Sequence, residues 1–236
     1  MEKSFFMRTQ FLLGNEGLEK LKVSKVAVFG IGGVGSYVVE ALARAGVGNL
    51  ILIDHDEIDI TNINRQIHAL YTTVGKSKVD VMKNRILDIN PNANVIAYKK
   101  LYNKDSANEL LSEEYDYVVD AIDMVSSKID LIERCYNKGI NIISSMGMGN
   151  KLDPTKIEVS DIYKTHMCPL AKVMRRELRA RKIKKLKVVY STEKPIKPVT
   201  SILNDNKREI PGSISFVPSV GGLIMASVVV KDLIGM

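Results

Sequence analysis

The sequence predicts an α/β fold with a doubly wound, mostly parallel sheet. Three observations carry that expectation. An apolar run ends in a glycine cluster, Gly30-Ile31-Gly32-Gly33-Val34-Gly35. A helical pattern follows, and then a second apolar run that closes on an acid, Asp54. Beyond it, short apolar runs keep alternating with helical patterns, as the crossover units of a parallel sheet require.

The first strand is Lys25–Gly30, where Val26, Ala27, Val28 and Phe29 read as buried on both faces. A helix follows from about Val34 to Ala45; Val34, Val38, Ala41, Leu42 and Ala45 share one face, and Gly46 and Gly48 stop it. Leu50–Ile53 is the second strand. Lys76–Leu87 is helical, and Asn90-Pro91-Asn92 turns the chain into a strand at Asn94–Tyr98. A short helix at Ser106–Leu111, a strand at Tyr115–Asp120, a helix at Ser126–Tyr136 and a strand at Asn141–Ser144 continue the alternation. Then come a strand around Lys156–Val159, a helix at Pro169–Lys182 and a strand at Lys187–Tyr190. Thr192–Pro211, rich in proline and lysine, reads as a long loop. The last element is a helix at Ser219–Leu233, with Ser219 as its cap after Pro218. Its apolar run, Val220–Val230, is short of a membrane span and reads as a buried core helix.

At 236 residues the chain can bury a full core without a disulfide or metal staple. Its two cysteines, Cys135 and Cys168, form no C-x-x-C pair, so the usual zinc spacing is missing and a reducing, cytoplasmic setting fits. The first residues lack the shape of a signal peptide. No composition shift marks a linker. The expectation is one domain over 1–236, with a nucleotide-binding part at 1–150 and a substrate-facing part at 151–236 that does not fold separately.

Gly30, Gly32 and Gly35 match G-x-G-x-x-G in a strand–turn–helix setting, the Rossmann-like arrangement. Glycine lets the backbone approach phosphate, and the helix behind it offers free N–H groups. Asp54 is placed to accept from ribose hydroxyls. This much suits a nicotinamide or flavin enzyme as well as an ATP enzyme. The next residues favour ATP. Asp56, Asn62, Arg65 and Lys78 follow Asp54, and the cations would neutralise phosphates as they separate, a task hydride transfer does not have. Singly, Arg65 or Lys78 is most simply a solvated charge; the argument rests on their combination. Asp123, in Asp120-Ala121-Ile122-Asp123, suits two roles equally from spacing: a Mg²⁺ ligand against the phosphates, or a cap for the following helix.

The balance is +7, and much of it sits in one place. Residues 172–187 hold nine basic side chains against one acid, Glu177. Lys172, Arg175, Arg176 and Arg179 share one helical face, while Leu170, Val173, Met174 and Leu178 can pack on the other. A phosphate backbone is the favoured partner, ahead of plain solvent or an anionic membrane. Lys194, Lys197, Lys207 and Arg208 could extend the patch.

Taken together, Val26–Ser36, Asp54-x-Asp56, Asn62-x-x-Arg65-Gln66, Gly75-x-x-Lys78 and Asp120-x-x-Asp123 resemble the ubiquitin-activating-enzyme-like superfamily. Further runs narrow the likeness: Gly147–Thr155, Asp161–Thr165, Pro169-Leu170-Ala171 and Tyr190–Glu193 are similar to its tRNA threonylcarbamoyladenosine dehydratase branch. The resemblance implies a homodimeric adenylation domain that uses ATP and Mg²⁺. Its reaction would activate the threonyl carboxylate of the modified tRNA nucleoside and close a ring with loss of water. It implies that Gly30, Gly32, Gly33 and Gly35 approach the phosphates, that Asp54 holds the ribose, and that Asn62, Arg65 and Lys78 hold the triphosphate. Asp123 would position the metal and the reacting phosphate. Arg8 would reach the ATP of the partner subunit, although an exposed charge on an N-terminal helix explains it equally simply. A sulfur-relay protein partner and a monovalent cation near Gly147 stay open. Cys168 stands where the branch commonly has an acid; a buried, non-catalytic thiol suits a ring closure that needs only an internal nucleophile. The competing function is an adenylyltransferase that activates the C-terminus of a ubiquitin-like sulfur carrier.

Overall fold

A computed structural model describes residues 4–111, 114–200 and 209–236. It opens with helix α1 (Met7–Val23), which kinks at Gly14, and strand β1 (Lys25–Phe29). The order then runs α2 (Gly35–Ala45), β2 (Asn49–Ile53), α3 (Lys78–Ile89), β3 (Asn94–Tyr98), α4 (Ala107–Leu110), β4 (Tyr117–Asp120) and α5 (Val125–Lys138). It closes with β5 (Ile142–Ser145), β6 (Ile157–Asp161), α6 (Pro169–Ala180), β7 (Lys187–Ser191) and α7 (Phe216–Ile234). The strands form one seven-stranded sheet in the order β3-β2-β1-β4-β5-β7-β6. Every pairing is parallel except β6 with β7. The α/β class and the mostly parallel, doubly wound sheet are as expected. The last two strands, which come from beyond residue 150, join the same sheet.

Alternation along the central strands explains the layers. Val26 and Val28 of β1 point to a core shared with α2, α3 and α7; Ala27 and Phe29 point to the opposite core, under α4 and α5. A third cluster lies between α5, α6 and β7, around Ile132, Met174, Leu178 and Tyr190. Both faces are covered, so the central strands read as continuous apolar runs rather than alternating ones.

Among the boundaries that differ from expectation, the start of the last helix matters most. α7 starts at Phe216, and Ser219 lies inside it, donating from its hydroxyl to the Ser215 carbonyl at 2.6 Å. Proline lacks a donor that a first helical turn would leave unpaired anyway, so Pro218 sits within that turn instead of ahead of it. The longer helix also changes the membrane arithmetic: its 19 residues, with mean hydropathy 1.7, are long and apolar enough to cross a bilayer by length and composition alone. In the fold one side of it is buried. Val217, Gly221, Gly222, Met225, Ala226 and Val229 pack in the core, and at Gly222 a Cβ would stand 2.4 Å from the Val34 carbonyl oxygen. Of the lysine-rich loop, Lys207 and Arg208 lie outside the described residues.

Candidate active site

The sheet order reverses between β1 and β4, so the connections leaving those two strands diverge and open a crevice at their carboxyl ends. The glycine cluster leaves β1 there. Gly30 has φ +87°, and a Cβ on it would lie 2.6 Å from the Ala121 carbonyl oxygen. Only glycine lets the loop after β1 touch the segment after β4 in that conformation. Gly35 is tighter: its Cβ would stand 1.8 Å from the Gly30 carbonyl oxygen. The turn therefore closes on itself and aims the start of α2 into the crevice.

Asp54 follows β2 and is buried. One carboxylate oxygen accepts the Ile31 amide at 2.6 Å and the other accepts the Asp56 amide at 2.9 Å. Each oxygen keeps acceptor capacity for a ribose hydroxyl. Asp56 in turn pairs with the buried Lys78 ammonium at 2.6 Å. Lys78 opens α3, which Ser77 caps, so the helix start delivers this cation to the Asp54–Asp56 turn.

Asn62 and Arg65 arrive on a short 3₁₀ turn, Ile60–Asn62. Asp59 caps that turn: its carboxylate accepts from the Thr61 amide and hydroxyl, while Asn62 Oδ1 accepts the Asp59 amide at 3.1 Å. Those bonds, the Thr61 hydroxyl first, hold the Asp59 carboxyl below its usual range. The guanidinium of Arg65 donates to the Thr61 carbonyl at 2.7 Å and to Asn64 Oδ1 at 2.9 Å. Its stem lies over Gly33, 3.4 Å from where a Cβ would be, beside Pro218 of α7. Asn64 also donates to the Ser213 carbonyl, tying this segment to the approach of α7.

The structure therefore gathers Gly30, Gly32, Gly33, Gly35, Asp54, Asp56, Asn62, Arg65 and Lys78 at one edge. Asp123 lies at that edge too, exposed, just past the Ala121 contact with Gly30. It does not cap α5: the residue before that helix is Met124, and no side chain caps it. Arg8 is not gathered. Phe6, two residues before it, packs against Gly46 at the far end of α2 from the glycine loop, and Arg8 itself is exposed.

The basic helix is partly redrawn. On α6, Lys172, Arg176 and Arg179 are exposed, but Arg175 is half-buried and donates to the Thr165 carbonyl and hydroxyl at 2.9 and 2.5 Å. It borders the buried strip of Ala171, Met174 and Leu178, so its guanidinium folds back on the protein. Val173 stays 38% exposed instead of packing. Arg179 lies over the Tyr163 ring at 5.1 Å from its centroid.

Cys168 immediately precedes α6 and is buried, with its sulfur beside Gly147. Cys135 is buried in the core, and desolvation pushes its thiol up to about 12. Near Cys168 the buried Lys151 ammonium donates to the Glu193 carbonyl at 2.6 Å, and desolvation lowers its pKa. The Glu193 carboxylate accepts the Leu152 and Asp153 amides, which joins the loop after β5 to the end of β7.

Sequence reasoning missed several supports of this edge: Asp59, Asn64, Pro218 and Lys128. The Asp59-x-x-Asn62 spacing is itself a capping signature and could have been read. Asn64 and Pro218 become supports only when the fold brings Ser213 and Gly33 to them, and Lys128 only when β5 brings it Ser144.

The ThiF family model matches residues 7–236. The chain is 49% identical over 239 residues to the tRNA threonylcarbamoyladenosine dehydratase of Bacillus subtilis strain 168, covering 97% of this chain and 94% of that protein. Among solved structures, the E. coli tRNA N6-threonylcarbamoyladenosine dehydratase TcdA in complex with ATP matches with TM-score 0.89 at 36% identity, covering 98% of this chain and 93% of that one. The same E. coli enzyme in complex with AMP matches with TM-score 0.88 at 36% identity, with coverage of 97% and 93%.

Proposed function

The chain belongs to the ThiF family, and from that premise we propose that it is an ATP-dependent dehydratase acting on threonylcarbamoyladenosine in tRNA. The observation that carries this reading is the likeness to the Bacillus subtilis dehydratase along nearly the whole of both chains. The crevice geometry supports it. The glycine loop and the start of α2 supply N–H donors for phosphate, Asp54 suits the ribose, and Lys78 and Arg65 stand ready for the triphosphate.

The chemistry has two steps. A threonyl carboxylate oxygen attacks the α-phosphorus of ATP and pyrophosphate leaves. The carbamoyl oxygen of the same nucleoside then attacks the acyl adenylate carbon; AMP leaves, and the carbamoyl nitrogen gives up its proton as the ring closes. Nucleophile and electrophile share one molecule, so the protein's task is orientation and neutralisation of phosphate charge. Mg²⁺ fits the donor set, since Asp123 is an exposed carboxylate at the crevice and the Asp54–His55–Asp56 turn adds oxygen donors. Asp123 would hold the ion, which supplies charge neutralisation on the phosphates. Arg65 and Lys78 act on the same charge from fixed positions.

Further parts of the reading concern partners. We read residues 1–236 as one adenylation domain whose part after 150 faces the tRNA. Lys172, Arg176 and Arg179, with the exposed Lys194 and Lys197, form the surface for the tRNA backbone. Arg8, exposed and remote from its own glycine loop, suits a role in the site of a second copy of the chain in a homodimer. A sulfur-relay partner and a cytoplasmic location accord with the same reading. A monovalent cation near Gly147 belongs to the same reading.

The test is mass spectrometry of tRNA nucleosides after incubation with the protein, ATP and Mg²⁺. Threonylcarbamoyladenosine should lose the mass of one water, with AMP formed in step. ATP consumption that ignores this tRNA and requires a ubiquitin-like protein would sink the proposal.

A further inference from the structure

Lys128 and Asp120 are the most deeply buried charges near the crevice; both are 0% exposed. Lys128 sits one turn into α5. Its ammonium donates to Asp120 Oδ2 at 2.8 Å, Ser144 Oγ at 3.1 Å and the Ser145 carbonyl at 3.0 Å. All three of its protons are used. Ser144 donates to the same Asp120 oxygen at 2.6 Å. The other oxygen, Asp120 Oδ1, accepts the Ile122 amide at 3.2 Å. The network thus joins the carboxyl ends of β4 and β5 to the first turns of α5, directly beneath the segment that carries Asp123.

Stability alone gives little reason for such a pair. Apolar residues of similar volume in place of a buried ion pair are often neutral or stabilising. What the pair supplies here is geometry. The Asp120–Asp123 segment is pinned from below by Asp120 and touched from above by Gly30, through Ala121. Among the described residues no side chain holds the Asp123 carboxylate, so its position is that of its backbone.

We propose that Lys128 is a positioning residue: through Asp120 and Ser144 it fixes the Asp120–Asp123 crossing, so that Asp123 faces the phosphates held by the glycine loop. The proposal rests on the reading of Asp123 given above. It assigns Lys128 no contact with substrate.

The decisive variant is Lys128→Met with Asp120→Asn, which removes both charges and leaves no buried ion unpaired. Urea unfolding, titration with a fluorescent ATP analogue, and AMP formation on tRNA carrying threonylcarbamoyladenosine are measured on the full chain. The double variant should unfold at a similar urea concentration and bind the analogue within about threefold, with KM for ATP little changed. Its kcat should fall about 10²-fold, the scale of a misplacement of about 1 Å. A folded double variant with wild-type kcat overturns the proposal. Should the double variant fail to fold, Ser144→Ala decides: kcat should drop at unchanged KM, with Ser144→Thr restoring it, and an unchanged kcat in Ser144→Ala rejects the network's role. Asp123→Asn run alongside separates the two readings. If it turns over normally, the assignment of Asp123 fails, whatever Lys128 does.

Discussion

Replacing Gly35 by alanine tests the crevice at its tightest point. The new Cβ would stand 1.8 Å from the Gly30 carbonyl oxygen and 2.9 Å from its carbon, both backbone atoms, with the Ala121 side chain at 3.3 Å. Loop and helix must part by about 1 Å or more before the contact is tolerable. Overpacking of this kind costs about 1–3 kcal/mol. With a urea m-value of about 1–3 kcal/mol/M, the unfolding midpoint should drop by roughly 1 M. On the proposed reading the same loop cradles phosphate, so AMP formation should fall by about 10²-fold in the protein that remains folded. Gly32→Ala is the matched control, since nothing lies within 4 Å of its would-be Cβ. It should unfold like the wild type yet bind the ATP analogue more weakly, because the obstruction appears only when phosphate approaches. Urea melts and analogue titrations on the two variants separate packing from ligand approach. Equal midpoints for Gly35→Ala and wild type would refute the packing argument. Undiminished ATP affinity in Gly32→Ala would refute the placing of phosphate against this turn.

Other perturbations probe different parts of the molecule. His68 is buried with neither ring nitrogen hydrogen-bonded among the described residues, and desolvation lowers its pKa to about 4. The unfolded chain takes the proton first, near pH 6.5, so His68 contributes full stability above that pH. That contribution, on the order of 3 kcal/mol, is lost as pH falls from about 6.5 towards 4. Urea midpoints across this window should flatten in His68→Leu, and an unchanged slope would reject the assignment. Lys78→Met leaves Asp56 half in water, so stability should change by no more than about 1 kcal/mol while AMP formation falls about 10²- to 10³-fold. Comparable losses of stability and rate would mean that Lys78 is merely structural. Arg176→Glu with Arg179→Glu should weaken tRNA binding and reduce the salt slope of binding by about 2, with ATP analogue affinity intact; an unchanged slope would remove α6 from the tRNA surface.

Most of the fold was legible because its signals are local. Each central strand is covered on both faces, so β1, β2 and β4 announce themselves as short apolar runs, and Asn94–Tyr98 needed no correction. The glycine turn was legible for the same reason, since tight backbone approach leaves a compositional trace. Boundaries failed where a residue has two possible duties. Pro218 could precede a helix or enter its first turn, and only the packing of α7 on α2 decided between them. Arg175 shares a helical face with Lys172, Arg176 and Arg179, yet it donates to the hydroxyl and carbonyl of Thr165, in the segment just ahead of α6.

The sequence by itself determined the alternation of strands and helices, the tight glycine turn, and the acids and cations that flank it. Each of these depends on spacing within one short segment. Tertiary structure alone decided which groups meet: Ile31 with Asp54, Arg65 with Gly33 and Pro218, and Lys128 with Asp120 and Ser144. Contacts of that kind depend on how the sheet stacks separate segments. A buried lysine and a solvated one look the same in sequence until the fold brings, or fails to bring, acceptors to all three protons.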